Sequence, residues 1–343
     1  MPDVLRFAAP YHVDLVDLAS PAPAPGEVRV ATIASGISAG TELTAFRGTN
    51  PYLTATWDPH LRLFDHGAQA PAYPVQGWGY SEVGRVVEAP GEADDLTPGD
   101  VVWGIWGHRA EAVLPASSLR GRRLPAGTDP VVGCFARVAA IGLNAVLAAD
   151  AGVGSTVVVV GQGVIGLLAT RFAVLSGARV IAVDGIDARL EHARAYGAAE
   201  VLHPTPDLAR RLRDLTGPGG ADAAIELSGT HPGLAEAVRA VGPDGRVVAA
   251  GFYQGEVAGL RLGEEFHHNR VQLLASQIGS VPQRLAARWD PARLHRAAME
   301  AVVSGRVDVL PLVTHRFPLA RAQEAYELLD TGGDQVLQVV LET

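Results

Sequence analysis

Lysine is absent from this chain, so all 28 basic residues are arginine. Chemistry that runs through a lysine amine, such as Schiff-base or pyridoxal catalysis and the Walker-A phosphate loop, is excluded. Cysteine is almost absent as well, with Cys134 the single thiol. One thiol makes no internal disulfide, no CxxC redox pair and no thiolate zinc cage, and this usage fits a reducing, cytoplasmic location. The chain also lacks a long uninterrupted apolar run: the longest, 157–175, is broken by glycines and by Arg171. The N-terminal MPDVLRF carries Asp3 and no apolar core, so neither an export signal nor a membrane span is expected. A basic stripe is missing too. The net charge is −9, from 37 acidic against 28 basic residues without long like-charge blocks, which argues against a nucleic-acid partner.

What is present is a globular composition: 343 residues, 48% of them apolar, enough for about two domains with a core in each. The first 130 or so residues are rich in Val, Pro and Gly, with alternating runs EVRVATIA (27–34) and EVGRVVEA (82–89) bounded by turn signals, and read as a β-rich, barrel-like region. From about 138 the rhythm changes to strand, helix, strand. TVVVV (156–160), RVIAV (179–183), DAAIEL (222–227), RVVAA (246–250) and VQLLAS (271–276) read as strands of a parallel sheet with helices on both faces. Two helical patterns follow, 291–304 and 318–330, and then a closing strand, QVLQVVL (335–341).

TVVVV runs straight into GQGVIG, which places Gly161, Gly163 and Gly166 in the G-x-G-x-x-G spacing at the start of an amphipathic helical segment. Gly161 permits the tight turn, Gly163 lets backbone amides approach a pyrophosphate, and Gly166 lets the helix pack on the strand. A second strand then ends on Asp184, where a carboxylate accepts hydrogen bonds from a ribose diol and repels a 2′-phosphate. NAD is therefore favoured over NADP. Arg189, just behind, is either a ligand of an adenosine phosphate or a residue of the solvated face of the next helix. Asp187 reads as the N-cap of that helix.

A β-rich first part, a Rossmann unit starting near 138 and a return to the first domain resemble the medium-chain dehydrogenase/reductase superfamily. ISAGTEL (37–43), GYSEVGRVVE (79–88), FARVAAIGLNAV (135–146) and EFHHNRVQLLASQIGSVPQRLAARWD (265–290) are similar to its zinc-independent branch, which includes hydroxyethyl-bacteriochlorophyllide dehydrogenase. The resemblance implies an α/β fold: a GroES-like β-barrel catalytic domain over 1–137, a doubly wound Rossmann domain binding NAD over 138–277, and a C-terminal segment, 278–343, returning to the catalytic domain. It also implies that the cofactor meets Val164 and Ile165 in the glycine loop, Ser228, and backbone groups around Ala250, Ser276 and Ile278. At the zinc-ligand positions of related enzymes stand Ser38 or Ala39, Tyr80, Ser81 and Ala136, with Cys134 two residues from the last. Zinc needs three or four N, S or O ligands in reach, and no such set is visible, so no zinc is expected.

Without a metal, a hydrogen-bond donor must stabilise the alkoxide that develops during hydride transfer. The candidates are Thr41, Tyr80, Ser38 and Ser81, and Thr41 matches the superfamily's hydroxyl proton relay. Thr41 also reads as a turn-stabilising threonine, and Tyr80 as a packing residue. Glu42 orients the relay or pairs structurally with an arginine. The segment 49–78 is dense in aromatic and imidazole side chains, and Pro51, Pro59, Pro71 and Pro74 mark it as loop. Trp57, His60, His66 and Trp78 are its candidate substrate contacts, the alternative being a loop packed on its own domain or on a partner subunit. His267 and His268 read as surface or interface residues. The expected function is an NAD-dependent, zinc-independent dehydrogenase of a secondary alcohol or the matching ketone in specialised metabolism. An NADPH-dependent quinone or enoyl reductase and an NAD-binding protein without turnover are the alternatives. A homodimer joined through VQLLAS is expected, since a bare apolar edge strand invites association.

Overall fold

The structure is a computed structural model that describes residues 3–66, 73–91, 93–257 and 259–343. Two compact units divide the chain: Met1–Arg137 with Asp308–Thr343, and Val138–Val307.

The first unit is built round strand Glu27–Gly36. Alternate residues Val28, Val30, Thr32 and Ala34 are buried, the pattern of a strand with one face on a core. It lies in a six-stranded sheet of order Val313–Pro318, Gln338–Glu342, Glu27–Gly36, Glu82–Glu88, Val101–Gly104, and Glu111–Pro115 also pairs with it. A second sheet holds His12–Asp17, Asp3–Ala9 and Val75–Gln76. Leu5, Phe7, Phe46, Tyr326 and Leu341 share one core, in which the Tyr326 ring stacks on Phe46 with centroids 5.6 Å apart and meets Phe7 edge-on at 5.2 Å. Register then decides what meets what. Ser35 stands opposite Glu82, and the Gly36 N–H donates to the Ser81 carbonyl at 2.8 Å. Because the two strands are antiparallel, the chain leaving Glu27–Gly36 and the chain arriving at Glu82–Glu88 share one end of the sheet.

The second unit holds six parallel strands in the order Glu200–Leu202, Arg179–Val183, Thr156–Val160, Ala221–Glu226, Val241–Ala249, Gln272–Ala275. Val157, Val158 and Val159 are all fully buried, as expected for a strand covered on both faces. The connections run outward in opposite directions from Thr156–Val160 and Ala221–Glu226. Between those two strands lies the topological switch point, where open parallel sheets bind ligands at the carboxyl ends of their strands.

Several expectations change. The return to the first unit comes at Asp308, not at 278, because helix Pro291–Val303 buries Leu294, Ala298, Met299 and Val302 within the second unit and the Arg171 guanidinium donates to the Arg306 carbonyl. The 318–330 pattern is a helix only over Ala322–Thr331; Pro318 closes strand Val313–Pro318. Asp187 is the first helical residue and Ile186 the N-cap, the Asp187 carboxylate lying 3.0 Å from the His203 imidazole instead. Loop 49–78 contains a small hairpin, Thr56–Asp58 with Leu63–Asp65, whose turn is held by the Asp58 carboxylate accepting the His60 and Leu61 N–H groups. Pro71 lies outside the described residues. Pro130–Ala149 is long and apolar enough to cross a membrane, but 78% of that apolar window is buried inside the protein, the mark of a core helix.

Candidate active site

The convergence of strand ends in the first unit brings Ser38, Thr41, Glu42 and Tyr80 together. Ser38 is the N-cap of helix Ala39–Arg47, and its hydroxyl makes a short hydrogen bond with the Tyr80 phenol, which also donates to Thr41 Oγ1 at 3.4 Å. Burial raises the Tyr80 pKa above the phenol range, with its hydroxyl partners and the Arg137 charge opposing, so the group is a protonated donor at neutral pH.

Glu42, one turn into the same helix, is fully buried. Its Oε1 accepts the Ser38 N–H at 2.8 Å, and its Oε2 accepts from Tyr326 OH at 2.5 Å and pairs with His108 Nε2 at 2.7 Å. The partner expected from sequence was an arginine, and the structure supplies a histidine. His108 arrives there because its own backbone bridges two segments: its N–H donates to the Trp78 carbonyl and its carbonyl accepts from the Leu5 N–H, both at 2.9 Å. The other ring nitrogen, Nδ1, is 2.7 Å from Ser35 Oγ. Burial works against the imidazolium, but the Glu42 carboxylate outweighs it and the His108 pKa is raised. Glu82, also fully buried, accepts the Trp106 and Ser81 N–H groups at 2.8 and 3.1 Å, and burial raises its pKa. His108, Tyr326, Ser35 and Glu82 were not singled out in the sequence. The one available signal was a histidine inside the otherwise apolar VVWGIWGH.

The proposed substrate contacts divide. Trp57 is on the small hairpin, packed against Phe64 at 5.1 Å, and His60 and His66 are exposed on the same excursion. Trp78 packs edge-on against Phe7 at 5.9 Å and belongs partly to the core.

In the second unit the glycine loop has the geometry a dinucleotide needs. Gly161 has φ +87°, a conformation other residues rarely adopt, and a Cβ on Gly166 would lie 1.9 Å from the Gly161 carbonyl oxygen. Gly163 faces open space and caps helix Val164–Leu175. The first N–H groups of that helix, from Val164, Ile165 and Gly166, have no intrahelical acceptor and sit at its positive end, a site for a pyrophosphate. Asp184 accepts the Gln162 N–H at 2.6 Å and the Ile186 N–H at 2.9 Å, which fixes its carboxylate beside the loop, and Arg189 lies 4.0 Å away. The residues therefore fit a dinucleotide. Ala250 donates its N–H to the Glu226 carbonyl at 3.0 Å, Ser276 to the Ala249 carbonyl at 3.1 Å, and Ile278 follows in the next turn. The Ser276 hydroxyl also accepts from Asn144 at 3.3 Å.

The residues at the positions expected from the resemblance to hold zinc do not form a metal-ligating set. Ser38 and Tyr80 are bonded to each other, Ala39 and Ala136 carry no donor atom, and Ser81 Oγ is buried without a partner. Cys134 is buried, with its pKa raised by that burial. No group of three His, Cys, Asp or Glu able to hold a metal occurs among the described residues.

Comparison with known proteins shows what the chain is similar to. The zinc-binding dehydrogenase profile matches residues 164–291. D-guloside 3-dehydrogenase of Escherichia coli (strain K12) is 29% identical over 344 residues, 98% of both chains. The crystal structure of 2R,3R-butanediol dehydrogenase from Bacillus subtilis superposes with TM-score 0.80 at 21% identity over the whole of both chains. An alcohol dehydrogenase from Escherichia coli CFT073, complexed with NADH, superposes with TM-score 0.77 at 19% identity over 100% of this chain and 99% of that one. The chain has the fold of the medium-chain dehydrogenase/reductase superfamily, residues 164–291 match the zinc-binding dehydrogenase family, and its similarities are to oxidoreductases of the alcohol-dehydrogenase type.

Proposed function

We propose that the protein is an NAD-dependent dehydrogenase that interconverts a secondary alcohol and its ketone without zinc, using the hydroxyls of Tyr80, Thr41 and Ser38 at the substrate oxygen. The observation that carries this reading is the hydroxyl cluster itself, in which Ser38 and Tyr80 occupy positions where the resemblance expects metal ligands and the Glu42 carboxylate holds the Ser38 backbone. When bound, the nicotinamide would accept the hydride in alcohol oxidation and, in its reduced form, donate it in ketone reduction. In ketone reduction, Tyr80 and Thr41 donate hydrogen bonds to the oxygen as it gains negative charge, and in alcohol oxidation the hydroxyl proton leaves along the same chain. A neutral phenol suits the donor role because burial keeps it protonated. Glu42 binds the Ser38 N–H and not its hydroxyl, so it orients the cluster without exchanging the substrate proton.

The E. coli relative, named for oxidising position 3 of a guloside, supports a secondary hydroxyl of a sugar or polyol as the substrate class. Asp184, whose carboxylate is fixed beside the glycine loop, supports NAD. A homodimer through Gln272–Ala275 is part of the proposal: the strand is at the sheet edge, and Leu273 and Leu274 are exposed on it. One observation favours an NADPH-dependent reductase instead, namely Arg189 close enough to Asp184 to receive a 2′-phosphate. The test is titration with NADH and NADPH followed by a panel of polyols, glycosides and their ketones. Tighter NADPH binding selects the reductase, and binding of NADH with no turnover across the panel refutes the dehydrogenase.

A further inference from the structure

In the second unit a single residue, Glu226, ties together the two loops at the carboxyl ends of neighbouring strands. Its carboxylate Oε1 accepts the Ser228 N–H at 2.8 Å and, at shorter range, the Ser228 hydroxyl. Its Oε2 accepts the Gly229 N–H at 3.2 Å and the Tyr253 hydroxyl. Its main-chain carbonyl accepts the Ala250 and Gly251 N–H groups at 3.0 and 2.9 Å. Residues 228–229 and 250–253 are thus held to one another through one buried side chain and its own peptide. The clamp also sits against the glycine loop, since a Cβ on Gly161 would come within 2.5 Å of the Ser228 nitrogen.

Only a carboxylate does this. Each of its oxygens is an acceptor, and together they offer about four lone-pair sites for the four donors present. An amide of the same shape turns one oxygen into a donor. Burial pushes the Glu226 carboxyl above the usual range, with the hydrogen bonds opposing, so keeping an acidic group here has a cost that packing alone does not explain.

Position says what the clamp serves. A doubly wound sheet binds one mononucleotide on each half, and Asp184 lies on the half that takes the adenosine. Strands Ala221–Glu226 and Val241–Ala249 are in the other half, so their terminal loops face the nicotinamide mononucleotide. We infer that Glu226 is a positioning residue that holds the Ser228–Gly229 and Ala250–Tyr253 loops in register for the nicotinamide half of the cofactor, leaving the adenosine half independent of it. This rests on the dinucleotide reading of the glycine loop.

The test compares NADH with ADP-ribose, which lacks the nicotinamide, on the full-length protein. Glu226→Gln should raise the Kd for NADH about tenfold or more, the loss expected when charge-assisted acceptors disappear, while the Kd for ADP-ribose stays within about twofold. Tyr253→Phe and Ser228→Ala, each removing one donor, should give the same selectivity with smaller effects, and they carry the test if Glu226→Gln does not fold. Unchanged NADH binding in all three variants overturns the inference. So does an equal loss for NADH and ADP-ribose accompanied by a lowered Tm, the signature of a merely structural role. A wild-type protein that binds neither NADH nor NADPH overturns the dinucleotide reading, and this inference with it.

Discussion

Replacing Glu42 by glutamine changes one oxygen into NH2 at a fully buried position, and the consequence follows from its partners. In the native arrangement the carboxylate accepts from the Ser38 N–H, Tyr326 OH and His108 Nε2. With the new NH2 facing His108 and Tyr326, two buried donors lose their acceptor, at about 1 to 3 kcal/mol each, and breaking a buried charged pair from one side costs about 3 to 5 kcal/mol. With the amide flipped, the Ser38 N–H loses its acceptor and the hydroxyl cluster loses its anchor. Taking about 3 to 5 kcal/mol, and about 2 to 4 °C per kcal/mol for a unit of this size, the transition of the first unit should fall by roughly 6 to 20 °C.

Four of the five tryptophans, Trp57, Trp78, Trp103 and Trp106, are in that unit, so tryptophan fluorescence during heating follows it directly. The pH dependence adds a second check. The folded-state pKa of His108 is raised above its ordinary 6.5 by Glu42, so its stabilising contribution is full below that value and is lost as pH rises through the elevated folded value. Wild type should lose stability over that window, and Glu42→Gln should lose much less. A variant whose Tm lies within about 2 °C of wild type, with the same pH slope, would refute the argument that the carboxylate holds this network together.

Tyr80→Phe and Thr41→Val keep side-chain shape but delete a donor, and at least one should lower turnover by about 10² to 10³ with NADH affinity near wild type, measured by steady-state kinetics and fluorescence titration. Asp184→Ala should weaken NADH binding by about 1 to 3 kcal/mol, and a titration showing no loss would remove Asp184 from the ribose site. Elemental analysis should find no stoichiometric zinc, and activity should survive chelation; about one zinc per chain, lost together with activity, contradicts the hydroxyl mechanism. Leu273→Glu with Leu274→Glu should convert a dimer to a monomer by light scattering, since charges on an edge strand block pairing.

Local chemistry in the sequence was sufficient for the glycine loop and the Rossmann-type sheet around it. Strand, glycine loop, helix, strand and terminal acid follow one another within about thirty residues, and Gly166 is required by a contact inside that same stretch, the Gly161 carbonyl. The parallel sheet was legible for the same reason, because strands buried on both faces read as continuous Val and Ile runs. The hydroxyl and carboxylate cluster of the first unit was legible only in part. Ser38, Thr41 and Glu42 are one turn of chain and could be named together, and Tyr80 was found through a motif position. Tyr326 lies on the far side of the second unit in sequence, and His108 reaches Glu42 only through an antiparallel register and its backbone bonds to Leu5 and Trp78. The boundary at Asp308 was hidden likewise, since the face that helix Pro291–Val303 buries is written in its periodicity but the partner it buries against is not. Residues within one turn or one loop share an environment that the sequence states, whereas a buried acid, a histidine and a tyrosine drawn from distant segments become a single network only when the sheet register and the core packing bring them within hydrogen-bond distance.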